Sequence, residues 1–173
     1  MADRSWPMEH GFRLVSPFGP RDGAFHRGQD FGWEGGSAGR PVYAAQGGYI
    51  AFCRYDAPIR GPGSGFGWYF GIDHPDEDGG GFTVYGHCVL ELDVNQRVHA
   101  GQRVGHINPD RISNGQVDPH LHFEVLPFTY QPGEQFDPLP WLADASYPGE
   151  HRAAADTGSV WAQILEQQIG PPL

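Results

Sequence analysis

The stretch DPHLHFEV, from Asp118 to Val125, alternates polar and apolar residues with a period of two. That period belongs to a β-strand buried on one side, because successive side chains leave a strand on opposite faces. Leu121, Phe123 and Val125 then share one face and His120 and His122 the other. Residues two apart on a strand lie about 6–7 Å apart, so the two imidazoles point the same way. A pair of imidazoles on one face needs water, charge partners or a metal ion.

Outward from this strand the pattern stays β-like. PVYAAQGGYIAFCRY (41–55) reads as strand, Gly-Gly turn, strand, WYFGIDH (68–74) as another strand, and FTVYGHCVLEL (82–92) as strand and exit. NQRVHAGQRVGHI (95–107) predicts two short strands around Ala100-Gly101, and HLHFEVLPF (120–128) the last clear strand. Residues 1–20 read as a lead-in ending in turn chemistry at SPFGP. TGSVWAQILEQQI (157–169) has Val160, Trp161, Ile164, Leu165 and Ile169 at helical spacing and predicts a C-terminal amphipathic helix. The 26 Gly and 16 Pro in 173 residues suit short strands joined by turns, and 13% aromatic residues argue against disorder. The expectation is a mainly β protein of one domain. It divides into a lead-in at 1–14, the domain proper at 15–145 and a tail carrying the helix at 146–173.

The formal net charge is −10, and all eleven basic residues are arginine. That balance opposes nucleic acid or an anionic membrane surface as a partner. No apolar run reaches the roughly 20 residues of a membrane span, and MADRSWPMEHGFRL lacks the apolar core of a signal peptide. Cys53 and Cys88 are expected as free buried thiols.

Two further clusters join the strand histidines. FHRGQDFG holds His26 and Asp30 as H-x-G-x-D, with Gly28 and the aromatic exit favouring a turn into a strand over a helix. TVYGHC places His87 at a strand end. Zinc accepts imidazole nitrogen and carboxylate oxygen, and catalytic zinc sites use three protein ligands with a position left open. The helical zinc motif H-E-x-x-H is absent from the sequence.

From about Val15 to Val125 the chain resembles the lysostaphin-type, or LytM-like, zinc endopeptidases that cut peptidoglycan. The resemblance is carried by PFGPRDGAFHRGQDF, PVYAAQGGYI, YGH, VHAGQRVGHI and PHLHFEV in that order. It implies antiparallel sheets forming a groove and one Zn²⁺ on His26, Asp30 and His122. It also implies two metal-free histidines, His87 and His120, that polarise water and stabilise the oxyanion, with their division of labour left open. A monomer acting on peptidoglycan peptide at the bacterial cell wall is the implied setting. Release through a holin, carriage on a virion or membership of a larger exported protein would bring it there. The other reading is a catalytically inactive LytM-like module that binds and activates other wall hydrolases.

Departures and bystanders complete the expectations. Cys88 follows the Y-x-H histidine where the family more often has Leu, and is expected to point away from His87. Asp118 either ends a loop or orients a histidine. The loops at 60–67 and 75–81 are candidate walls of the groove. His10, His74, His99, His106 and His151 are expected on the surface, and Trp68 and Tyr69 in the core.

Overall fold

The alternation centred on residues 121–126 organises two β layers in a computed structural model of the chain, which describes residues 3–21 and 23–150. The strands are β1 (Arg13–Ser16), β2 (Gly19–Arg21), β3 (Ala24–His26), β4 (Gln29–Gly32), β5 (Pro41–Tyr43) and β6 (Gly48–Asp56). They continue with β7 (Gly67–Asp73), β8 (Phe82–Gly86), β9 (Cys88–Leu90), β10 (Arg97–Val98), β11 (Arg103–Ile107) and β12 (Leu121–Leu126). A single turn of helix, α1 (Pro138–Trp141), follows, capped by the Asp137 side chain, which accepts from the Leu139 N–H. The helix expected at 157–169 lies outside the described residues.

A seven-stranded sheet runs in the order β1-β4-β12-β8-β7-β6-β10, a three-stranded sheet in the order β5-β11-β9, and β2 and β3 form a hairpin. The strand pairings are antiparallel throughout. On one side of β12, Leu121, Phe123 and Val125 join Phe31, Ile50, Phe70, Ile72 and Tyr85 in a core closed by Val42, Val104, Ile107 and Cys88 of the smaller sheet. On the other side, Leu126 packs with Phe52, Tyr69, Phe82 and Val84, and Tyr130 lies against them. Leu142 is fully buried in the first core, as is Met8 from the start of the chain, and Ser5 bridges to Ser146. Cys53 and Cys88 are free, and Cys88 points into the core, away from His87.

Four expectations are corrected. Residues 13–16 and 19–21 are strands rather than lead-in and turn. The Gly-Gly pair is no hairpin turn: β5 and β6 belong to different sheets, and a Cβ on Gly48 would sit 2.2 Å from the Asp73 carbonyl oxygen. These glycines serve close packing. His74 is buried, donating from Nδ1 to the Gly47 carbonyl oxygen at 2.7 Å and meeting Thr83 Oγ1 through Nε2 at 2.9 Å. Trp68 is 41% exposed and packs on Tyr55, whereas its neighbour Tyr69 turns inward, as strand alternation requires.

Candidate metal centre

β3 ends at His26, the chain turns through Arg27 and Gly28, and β4 begins at Gln29. In the β4–β12 ladder Asp30 stands opposite His122. Register alone therefore brings together residues 92 apart in the chain. The glycine of H-x-G-x-D has a steric cause. A Cβ at residue 28 would lie 2.6 Å from His122 Nε2 and 2.6 Å from the Phe123 carbonyl oxygen, so only hydrogen fits beneath the ring.

Three ligand-type atoms converge there. His26 Nε2 lies 3.0 Å from His122 Nδ1 and 3.2 Å from Asp30 Oδ1, and His122 Nδ1 lies 2.9 Å from the same Oδ1. All three residues are buried, and they form the one such grouping found among the described residues. The edges of a tetrahedral site with ligands at 2.0–2.2 Å are about 3.3–3.5 Å, so the triangle is only a few tenths of an ångström tighter.

The tautomers are fixed from outside this triangle. A carbonyl oxygen only accepts, so a nitrogen facing one carries the proton. His26 Nδ1 donates to the Pro17 carbonyl at 2.8 Å, which leaves its Nε2 lone pair inward. His122 Nε2 meets Glu124 Oε1 at 3.1 Å, which leaves Nδ1 inward. Two nitrogen lone pairs and a carboxylate oxygen at contact distance repel one another unless a cation sits among them. A divalent ion fits this donor set.

The electrostatics of the protein groups agree. In the metal-free site a proton takes the cation's place: burial would raise the Asp30 pKa, yet the hydrogen bonds that protonated His122 and His26 make hold the carboxyl well below the usual carboxylate range. Burial would lower the His122 pKa, and hydrogen bonds to Asp30 and Glu124 outweigh it, so the ring favours positive charge.

His87 and His120 flank it. Their ring centroids are 4.5 Å apart, and His120 Nε2 is 3.6 Å from Asp30 Oδ1. His87 Nδ1 lies 2.6 Å from the Asn114 carbonyl oxygen and 2.9 Å from that of Phe66, and His120 Nδ1 donates to the Asp118 carbonyl at 2.7 Å. Each ring thus keeps Nε2 unspent. Burial, helped by the positive potential of His120 and His122, lowers the His87 pKa to about 3; burial also lowers that of His120, against the pull of Asp30. His87 itself has a left-handed φ of 60°, an uncommon conformation for a side chain of its size. It occupies the corner where the chain leaves the large sheet at Gly86 and joins the small one at Cys88.

The sequence-predicted residues His26, Asp30, His87, His120 and His122 therefore stand within one cluster. Of the two candidate wall loops, 60–67 reaches it: the Phe66 ring is 5.1 Å from that of His122 and 5.9 Å from that of His87. The loop at 75–81 does not. It joins β7 to β8 at the far end of the large sheet, about 13 Å along β12 from His122. Asp118 contributes its carbonyl to His120, while its side chain pairs with Arg111. Sequence reasoning missed Pro17 and Asn114, whose carbonyls carry no sequence signature. It also missed Glu124, which had one: in H-x-H-x-E it shares the face of the two histidines.

Residues 24–138 match the sequence profile of peptidase family M23. Among solved structures, that of lysostaphin superposes with a TM-score of 0.65 at 25% identity, covering 90% of this chain and 59% of lysostaphin. The chain thus spans well under two thirds of that protein. The catalytic domain of the antimicrobial peptidase lysostaphin from Staphylococcus simulans gives 27% identity and a TM-score of 0.61, covering 76% of this chain and 92% of the domain. A zinc containing peptidase from Vibrio cholerae gives 26% identity and a TM-score of 0.56, covering 73% of this chain and 37% of its own. A search of curated proteins finds no match.

Proposed function

Starting from a chain that belongs to peptidase family M23, we propose that it is a zinc-dependent endopeptidase acting on the peptide part of peptidoglycan. Zn²⁺ would be held by His26 Nε2, Asp30 Oδ1 and His122 Nδ1, within a catalytic unit spanning about residues 15–145. The observation that carries this reading is the triangle of unspent donor atoms with sides of 2.9–3.2 Å. Three protein donors are the complement of a catalytic site, whereas structural zinc sites are closed by four. The likeness to lysostaphin and to the zinc containing peptidase supports the same reading.

A zinc ion there supplies Lewis-acid chemistry, making water acidic near neutral pH and polarising a carbonyl. The rest belongs to the chain. The Pro17 and Glu124 acceptors hold the two ligand rings against rotation. His87 and His120, their Nδ1 protons spent on backbone carbonyls, present Nε2 toward the same space. Either can take a proton from attacking water and return it to the leaving amine, a contribution of about 10²–10⁴ in rate. Phe66 covers one side of the rings and limits water access.

The test combines metal analysis of the purified chain with mass spectrometry of fragments released from defined muropeptides. One zinc per chain, cleavage abolished by a chelator and cleavage restored by zinc are expected. A chain that takes up no zinc and cleaves nothing would instead be the inactive binding module.

A further inference from the structure

We propose that buried Glu124 and its half-buried partner Gln135 are the positioning device of this centre, fixing His122 in the one orientation that turns Nδ1 toward His26 and Asp30. The inference rests on the zinc reading above and adds a residue pair to it.

His122 is the exception among four imidazoles. His26, His87 and His120 are each held at Nδ1 by a backbone carbonyl and leave Nε2 for chemistry. His122 is held at Nε2 and leaves Nδ1. Its place explains why. His122 lies within a strand paired on both sides, with Asp30 on β4 and Gly86 on β8. Backbone carbonyls of paired strands lie in the plane of the sheet and are spent on neighbours. None faces a ring standing on the sheet surface, so the acceptor must be a side chain on the same face. The residue two positions along is the nearest candidate. Glu124 is that residue, and it is itself 2% exposed.

A buried carboxylate needs partners of its own. Gln135 donates from Nε2 to Glu124 Oε2 at 2.9 Å. The next residue, Phe136, donates its backbone N–H to the Val125 carbonyl at 3.1 Å, which pins the segment after Tyr130 beside β12. The chain Gln135–Glu124–His122 therefore starts on a fixed backbone and ends at a donor atom of the centre. Charge counting agrees. Asp30 and Glu124 lie on opposite sides of the His122 ring, and two carboxylates balance a divalent cation. Without Glu124 the ring is free to turn about its last torsion and present a carbon to Asp30. An acceptor behind a ligating histidine is worth about 10- to 100-fold in metal affinity.

The experiment measures zinc affinity by competition with a chromophoric chelator for the parent chain, Glu124→Gln, Glu124→Leu and Gln135→Leu. Alongside it, long-range ¹H–¹⁵N NMR reads the His122 tautomer in the zinc-loaded chains, and thermal unfolding is followed in excess chelator. The expected result is about a 10-fold loss for Glu124→Gln, about 100-fold for Glu124→Leu and a few-fold for Gln135→Leu. The Nε2–H signal of His122 should be weakened in the Glu124 variants, with Glu124→Gln unfolding within a few degrees of the parent. Zinc affinity within twofold of the parent in both Glu124 variants would overturn the proposal while leaving the zinc reading standing. So would an affinity loss matched by loss of the folded zinc-free chain at the assay temperature. A parent that binds no zinc would overturn both.

Discussion

Two ends of the large sheet each bury histidine, and they use it in opposite ways. At the far end, His74 spends both nitrogens. Nδ1 donates to Gly47, and Nε2 meets Thr83 Oγ1, which contacts the Tyr85 hydroxyl that accepts from the Ala45 N–H. Every polar atom of that ring is satisfied by its neighbours. At the near end, His26, His87, His120 and His122 spend one nitrogen each on a fixed acceptor and keep the other. Burial does not separate the two ends, since His74 and His122 are both buried. What separates them is whether a lone pair remains after the local hydrogen bonds are counted. A ring with none left is structure, and several rings with one each, aimed together, form a site.

The sharpest way to break this comparison is to remove a converging donor. His122→Ala should take zinc and activity away together, reducing cleavage to background, as read by metal content and muropeptide release. His120→Ala removes an unspent nitrogen that lies outside the triangle. It should leave one zinc bound while turnover falls by two to four orders of magnitude. If His120→Ala loses its metal as readily as His122→Ala, the division between holding and working residues is wrong.

The far end makes a prediction about stability instead. Burial pushes the His74 pKa down from 6.5 to about 4. Between those values the unfolded chain binds the proton and the folded chain does not, so stability falls as pH drops from 6.5 toward 4. The total effect is about 3 kcal/mol. Protonation would make Nε2 a donor, so it could no longer accept from the Thr83 hydroxyl. Urea unfolding at pH 7 and pH 4.5 in excess chelator should show a shallower pH dependence for His74→Asn than for the parent. Equal slopes would mean that His74 is not held neutral by the fold.

Much of the near end was legible in the sequence because its logic is local. The period of two in residues 121–125 assigned the faces of β12, and H-x-G-x-D located a turn into a strand. What escaped depended on partners far along the chain. β1 and β2 are short and poor in apolar alternation, and they exist as strands only because β4 and β3 pair with them. Gly47 and Gly48 look like a turn in isolation, and their need for space arises from Asp73 and Asp78, more than 20 residues away. His74, one residue past β7 and next to Pro75, gives no local sign that Gly47 and Thr83 close over it. Glu124 was the avoidable omission: an ionisable residue on the histidine face of an otherwise apolar strand wants a partner, and His122 was the only neighbour in reach on that strand.

The two glycine-rich loops sharpen the comparison with the smallest expected effect. Both looked alike in sequence as walls of a groove, yet Phe66 touches the rings of His87 and His122, whereas Asp76–Asp78 form a short 3-10 turn at the far end. Phe66→Ala opens one side of the rings to water and should lower turnover about tenfold with zinc still bound, since it removes packing rather than a donor. The Asp76→Asn, Glu77→Gln double variant should keep turnover within twofold, because about 13 Å of strand and, at 0.15 M salt, more than one screening length lie between those carboxylates and His122. Asp78 is left in place because it pairs with Arg97. If neutralising the acidic turn changed turnover as much as Phe66→Ala, substrate would have to reach across the whole sheet face, and the two ends would form one extended site.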